Sequence, residues 1–304
     1  MRLPKDQWPQ EWHDKGYVDP VCPLVLALYG HPDSGSDWEA HADKCVRSVG
    51  YAPVPNWPSC YWHEEKQLFL VIYVDDFKLA GPMGNLEEGW QLLRSTGLKL
   101  DPPTPLGLYL GCKHEESERV LPDTGKRVRV MEYNMEEFLS SCVDRYAEIT
   151  GVNYFRHATT PFLPEASAPN LADGPPDYSE LAKKAEEELR AGLELKPYAA
   201  KIPMKILYAA RYARFDLLGA VCHLAQFITK WDATCDKRLY RLICYINSTL
   251  HCRMTGWVGD GPSDISPHLF ADADLAGDGN NSRSTSGNYS PYSTRTQHRL
   301  PSCR

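Results

Sequence analysis

Seven consecutive apolar residues, Leu68-Phe69-Leu70-Val71-Ile72-Tyr73-Val74, run directly into two aspartates, and this junction constrains the fold more than any other stretch of the chain. A run of this length is strand-sized, far short of the roughly 20 residues of a bilayer-spanning helix. Its lack of alternation predicts a central strand covered on both faces. Asp75-Asp76 interrupts it, Phe77-Lys78-Leu79-Ala80 resumes an apolar alternation, and Gly81-Pro82 closes the segment. The order is strand, acidic tip, strand.

Two adjacent carboxylates at the end of a buried strand raise each other's pKa unless a cation lies near them. Oxygen ligands suit Mg²⁺ or Mn²⁺, which keep several waters and bind substrate phosphates. A pair of such ions about 3.5–4 Å apart clamps the attacking and leaving oxygens of an in-line displacement. Phosphoryl or nucleotidyl transfer is the reaction class that follows. Asp-Asp is also an ordinary polar hairpin turn, and spacing alone does not separate the two readings.

The 304 residues, 42% hydrophobic and 24% charged, are sufficient for one large core or two modest ones in a soluble globular protein. Met1 to Asp6 carries basic residues with no apolar stretch behind them, so neither a secretory signal nor a membrane association is expected. The ten cysteines are scattered without any Cys-x-x-Cys pair. They read as reduced thiols of an intracellular protein, cytoplasmic or nuclear, and neither they nor the histidines fall at zinc-ligand spacing. A formal net charge of -7 argues against indiscriminate phosphate binding, so any nucleic-acid contact must be local.

Elsewhere, residues 1–25 are Trp- and Pro-rich and predict an irregular lead-in. From Asp37, a candidate cap, Trp38, Ala42, Cys45, Val46 and Val49 share a helical face that Gly50 ends. Leu86, Trp90 and Leu93 mark a second helix, and Leu106 to Cys112 reads as a short strand punctuated by glycine. Met131, Met135, Phe138, Leu139, Cys142 and Tyr146 repeat at three and four residues, predicting an amphipathic helix whose stripe is core. Residues 158–178 have linker composition, Ser179 to Glu194 reads as a solvated helix, and Ile202–Tyr212, Asp216–Thr229 and Thr234–Leu250 complete a helical module. Asp216 is expected as a helix cap, Arg211 as a surface charge, and Lys237, Arg238 and Arg241 as a solvated face. His268 to Asp274 predicts a strand entering an acidic turn, followed by a disordered tail. The order of elements fits an α+β fold with helices against an antiparallel sheet.

Several short motifs recur in a recognisable order: Ala27-Leu28-Tyr29-Gly30, Trp38, Gly50-Tyr51, Tyr73-Val74-Asp75-Asp76, Ala80-Gly81 and Tyr109-Leu110-Gly111, then Ala158-Thr159-Thr160-Pro161, Leu207-Tyr208-Ala209-Ala210-Arg211, Asp216, Phe227, Ala271 to Asp278, and Ser284-Thr285-Ser286-Gly287. In order and approximate spacing the set resembles the reverse transcriptase of copia-type LTR retrotransposons and the opening of that family's ribonuclease H domain, over about residues 20 to 288. The resemblance implies an RNA-directed DNA polymerase using Mg²⁺ or Mn²⁺, acting on an RNA/DNA template–primer duplex and deoxynucleotide triphosphates within a Pol polyprotein. Asp75 and Asp76 match the palm's metal-binding pair, with Tyr73 beside the primer end. Tyr109, Leu110 and Gly111 match the segment that grips the primer strand, Tyr29 and Gly30 the template- and nucleotide-contacting motif, and Asp272 the first ribonuclease H carboxylate. The implied layout is a partial palm over 26–115, a thumb-like segment over 116–157, the linker, a helical connection over 179–260, a truncated ribonuclease H-like α/β start over 265–288, and a tail over 289–304.

The chain also departs from the family. A third palm aspartate and basic finger residues lie upstream of Ala-Leu-Tyr-Gly in the family, and Asp6, Asp14 and Asp19 have no apolar strand around them to substitute. His31-Pro32-Asp33 stands where Leu-Lys-Gln is usual, and no Asp or Glu follows Asp278. The expectation is an incomplete polymerase fragment, inactive alone. The alternative is a decayed, non-catalytic retroelement remnant with at most weak nucleic-acid binding.

Overall fold

The computed structural model describes residues 1–162, 195–273, 286–289 and 292–294, in two compact units, Met1–Pro105 and Leu106–Arg304. The architecture is mixed α+β with antiparallel sheets, as the order of elements predicts. None of the described helices is long and apolar enough to cross a membrane.

In the first unit the lead-in forms a short helix, α1 (Gln10–Asp14), within otherwise irregular chain. Helix α2 (Ser34–Ser48) begins earlier than expected, with Asp33 at the N-cap position. Asp37 therefore does not cap; it lies in the first turn, where a negative charge complements the helix dipole. Strands β1 (Ala52–Pro53), β2 (Cys60–His63), β3 (Leu68–Tyr73) and β4 (Asp76–Ala80) form an antiparallel sheet in that order, and helix α3 (Met83–Ser95) follows. Leu68, Leu70 and Ile72 of β3 point into a core with Ala42, Cys45 and Val46 of α2 and Leu93 of α3. Gly89 lets α3 approach closely, since a Cβ there would lie 2.5 Å from Leu68 Cδ1.

Strand β3 is central in sequence order of the sheet but not sealed on both faces. Phe69 and Val71 are only half-buried and Tyr73 is exposed. The register places them on the face away from the core, in rows Trp62–Phe69–Ala80, Cys60–Val71–Lys78 and Tyr73–Asp76. The unbroken apolar run arises because Phe69 and Val71 cover one another and their cross-strand neighbours, not because a second layer covers them.

The second unit departs further from expectation. Leu106 to Cys112 is a tight hairpin, not one strand: β5 (Leu108–Tyr109) turns through Leu110 and Gly111 into β6 (Cys112–Val120), which pairs with β7 (Arg127–Asn134). Met131 lies in a strand rather than at the start of a helix. The charged stretch is held by ion pairs across the ladder, Arg129–Glu116, Arg127–Glu118 and Arg119–Glu132, while Val128 and Val130 are buried on one face. The alternation of Arg127-Val128-Arg129-Val130 was a period-two signal masked by its charge.

Helix α4 (Glu136–Thr150) carries the rest of the predicted stripe, with Leu139, Cys142, Val143 and Tyr146 buried. It shares a core with α5 (Lys201–Tyr212), α6 (Leu218–Ala225) and α7 (Ala233–Ser248). The expected helix over Asp216–Thr229 is split, with 3-10 turns at Phe215–Leu217 and Ile228–Lys230 flanking α6. Helix α7 is capped by Asp232, whose side chain accepts the Cys235 amide at 2.8 Å. Strand β8 (Met254–Val258) then returns beside β7, within the 179–260 region expected to be a helical connection. Strands β9 (Ile265–Pro267) and β10 (Phe270–Ala273) pair with β12 (Tyr292–Thr294) and β11 (Ser286–Tyr289) respectively. The tail expected to be disordered from 289 thus contains a strand, paired to β9; residues 295–304 lie outside the described residues.

The structure differs from three further expectations. Asp216 does not cap a helix: it pairs with Arg214, which is 1% exposed, and accepts the Tyr245 hydroxyl. Arg241 is not on a solvated face: it is buried and donates to the Thr160 carbonyl and hydroxyl, both at 2.9 Å. The start of the expected linker is therefore anchored at Ala158 and Thr160. Its remainder, and the helix expected over Ser179 to Glu194, lie outside the described residues. The described cysteines form no disulfide with one another, and Cys45, Cys60, Cys112, Cys142, Cys235 and Cys244 are buried.

Candidate active site

The hairpin between β3 and β4 has a two-residue turn, Val74-Asp75, with Tyr73 opposite Asp76. Two-residue hairpin turns match strand twist only when a central residue takes positive φ, which favours glycine or asparagine. Here Val74 takes it, at φ 55, and a β-branched residue in that region is strained by about 1–3 kcal/mol. The strained carbonyl is held: the Trp38 indole nitrogen, from α2, donates to Val74 O at 2.7 Å. The turn is thus fixed by a side chain 36 residues upstream in sequence.

Asp75 occupies the second turn position and Asp76 the first position of β4, and both are exposed. Among the described residues neither carboxylate forms a hydrogen bond or ion pair. Asp76 shares the outward face of the sheet with Tyr73, which is 56% exposed, and with Lys78. The arrangement offers two hard oxygen donors at an accessible tip, a set suited to a divalent cation such as Mg²⁺ or Mn²⁺. No group of three or more potential ligands assembles among the described residues, so the pair stands without a third carboxylate.

Tyr29 and Gly30 lie in a turn ahead of α2, closed by the His31 amide donating to the Leu28 carbonyl. Tyr29 is fully exposed and Gly30 takes φ 87. Helix α2 connects this turn to the hairpin tip, because its first turns carry Trp38.

In the second unit, Tyr109 ends β5 and Leu110-Gly111 forms the hairpin turn, both residues at positive φ, 50 and 75. Leu110, like Val74, is a non-glycine residue held in left-handed conformation by an aromatic donor: the Tyr208 hydroxyl, from α5, bonds to Leu110 O at 2.5 Å. The Phe138 ring lies 3.3 Å from where a Cβ on Gly111 would stand. Lys205 lies 5.6 Å over that same ring and donates to Ser141.

Asp272 sits in β10 opposite Gly287, exposed, with one carboxylate oxygen accepting the Ala273 amide at 2.9 Å. Asp274 and Asp278 lie outside the described residues. Of the residues singled out in the sequence, the hairpin brings together Tyr73, Asp75 and Asp76, while Tyr109, Leu110, Gly111 and Asp272 belong to the other unit. The tethers Trp38 and Tyr208 were visible as motif residues but not as donors, since both bonds span long stretches of chain. No protein-family model matches this chain, and no solved structure matches it.

Proposed function

We propose that this chain is part of an RNA-directed DNA polymerase of the copia-type retrotransposon class, with Asp75 and Asp76 as its metal-holding pair. The observation that carries the reading is the tip of the β3–β4 hairpin: two adjacent, exposed, unpaired carboxylates on a turn whose strained residue is tethered by Trp38. Strain of this kind persists where the surroundings over-determine it and is concentrated at functional sites. Bound at Asp75 and Asp76, Mg²⁺ or Mn²⁺ would offset charge as a primer 3′-hydroxyl displaces pyrophosphate from a deoxynucleotide α-phosphate.

The chain's own contributions are positional. Asp75 and Asp76 supply oxygen donors, Tyr73 presents an exposed ring beside them, and the Tyr29-Gly30 turn stands ready to meet template or nucleotide. The Tyr109-Leu110-Gly111 turn, held by Tyr208, serves the primer strand. Asp272 opens a ribonuclease H-like segment in this reading.

A second reading, a non-catalytic remnant, is favoured by the absence of a third carboxylate near the pair among the described residues. Primer extension on an RNA template with Mg²⁺ or Mn²⁺ decides between them. Incorporation abolished by Asp75→Asn supports the polymerase. Incorporation that survives Asp75→Asn refutes the assignment of the pair, and none from the chain, alone or joined to a polypeptide supplying a further palm aspartate, leaves the remnant.

A further inference from the structure

Between α2 and the loop that joins β1 to β2 lies a groove of about 710 Å³. That size falls within the ~300–1,000 Å³ of small-molecule sites. Helix α2 lines it with Glu39 and Asp43, which are four residues apart and so share a face. The loop lines it with Trp57, which is 61% exposed, and buried Tyr61 of β2 also borders it. The loop is ordered by its own chemistry. Pro53 at the end of β1 and Pro55 and Pro58 beyond it fix three φ angles. The Val54 amide donates to the Cys60 carbonyl, the Trp57 amide to the Val54 carbonyl, and the Ile72 amide of β3 to the Ser59 carbonyl at 2.9 Å. A wall already held in this way loses little freedom when a ligand binds.

The polarity of the groove is one-sided. Among the described residues no lysine, arginine or histidine lines it. The prolines have no N–H to offer, and the amides of Val54 and Trp57 are used within the loop. Of the two carboxylates, Asp43 is already engaged: one oxygen accepts the Tyr61 hydroxyl at 3.2 Å and the other meets Arg47 at 3.3 Å. Glu39 is the open one. One of its oxygens accepts the Ser59 hydroxyl at 3.4 Å, and the other has no partner among the described residues. Burial, then Asp43, then Glu39 raise the pKa of the Tyr61 hydroxyl to about 12 against an opposing Arg47, so the negative field reaches this wall.

We propose that this groove binds a small organic cation whose guanidinium pairs with Glu39 and lies against the Trp57 ring. Three considerations select that class. Two carboxylates without a lining cation favour a positive ligand, and a wall poor in donors favours one that brings its own. An exposed indole offers the best aromatic face for a cation. A guanidinium suits both partners, because its planar fork matches a carboxylate through two N–H groups, it stacks on rings, and it is more weakly hydrated than an ammonium. A peptide fits less well, since prolines at the β1 edge and in the loop leave few amides to grip a second main chain. The inference does not depend on the polymerase reading.

The test titrates butylguanidine into the full, isotopically labelled chain at low salt and without divalent metal, following amide resonances by NMR. The expected result is saturable shifts centred on residues 39–43 and 54–59, with a Kd on the order of 1 mM for so small a ligand, weakening as salt rises. Glu39→Gln and Trp57→Ala each raise that Kd about fivefold or more. Both positions are exposed, so neither variant moves the thermal unfolding midpoint by more than about 2 °C. Butylurea, of the same shape but uncharged, gives no saturable shift. Absence of saturable shifts with butylguanidine up to roughly 20 mM overturns the proposal. So do shifts centred on Asp75 and Asp76 instead of the groove, an affinity indifferent to both variants, or butylurea binding as well as butylguanidine.

Discussion

Replacing Val74 by glycine should stabilise the first unit. Val74 sits at φ 55 and is 62% exposed, so the substitution removes a strained β-branched residue and forfeits little burial. Relief of about 1–3 kcal/mol is offset by about 0.4–1 kcal/mol for the added freedom of glycine in the unfolded chain. The net gain is about 1 kcal/mol. With a urea slope of about 1–3 kcal/mol/M the midpoint moves up by roughly 0.5 M. Trp8, Trp12, Trp38, Trp57, Trp62 and Trp90 lie in this unit and Trp231 and Trp257 in the other, so tryptophan fluorescence of a Trp231→Phe, Trp257→Phe background follows its unfolding. Trp38→Phe alone removes one hydrogen bond, about 0.5–1.5 kcal/mol. Combined with Val74→Gly it should cost less, because glycine holds the turn without a tether, and a cycle of the two variants should show that coupling. A loss of stability on Val74→Gly, or strict additivity with Trp38→Phe, would refute the strained and tethered turn.

Arg241→Ala should destabilise the second unit by about 3 kcal/mol, since it removes a buried side chain and two donors to Thr160; a thermal shift worth less than ~1 kcal/mol would contradict this. Asp232→Ala should cost about 1 kcal/mol near neutral pH as the loss of the α7 cap. Burial disfavours the Asp232 carboxylate, but hydrogen bonds from Cys235 and Thr234 and the nearby Arg238 outweigh it and leave its pKa below the ordinary value. The sign follows: a depressed folded pKa contributes stability above the unfolded value and loses it as pH falls through the folded one, so urea midpoints of wild type and variant should converge in acid. Tyr61 behaves oppositely. Burial, then Asp43, push its hydroxyl up to about 12, so its contribution is intact below the ordinary tyrosine range and fades as pH climbs through the raised value; Tyr61→Phe should flatten that alkaline loss in a pH titration of unfolding.

The parts of the fold legible in the sequence are those where apolar period and local punctuation agree. The β3–β4 hairpin, α2, α3, α4 from Met135 onward, and α5 and α7 each carry a clean stripe or run that their packing uses. The β6–β7 ribbon was illegible because Glu116, Glu118, Arg127 and Arg129, paired across its ladder, look like a solvated loop until their partners are known, and they mask the buried alternation of Val128 and Val130. Asp216 and Arg241 were misread for a related reason: each meets its partner, Arg214 and Thr160 respectively, only in space, and nothing in residue type announces that. At the candidate site, Asp75 and Asp76 were marked by their place at the end of an apolar run. Their tether was not, because the donor lies on α2 and only the folded chain brings Trp38 to Val74.

The claim on which the account rests is that Asp75 and Asp76 together take up a divalent cation. Titrating Mn²⁺ into isotopically labelled chain and following paramagnetic broadening of amide resonances measures this without requiring turnover. Broadening centred on Val74, Asp75, Asp76 and Phe77, displaced by Mg²⁺ and lost in Asp75→Asn and Asp76→Asn, is the predicted result. Broadening that centres elsewhere, or that persists at the hairpin in both variants, would contradict it.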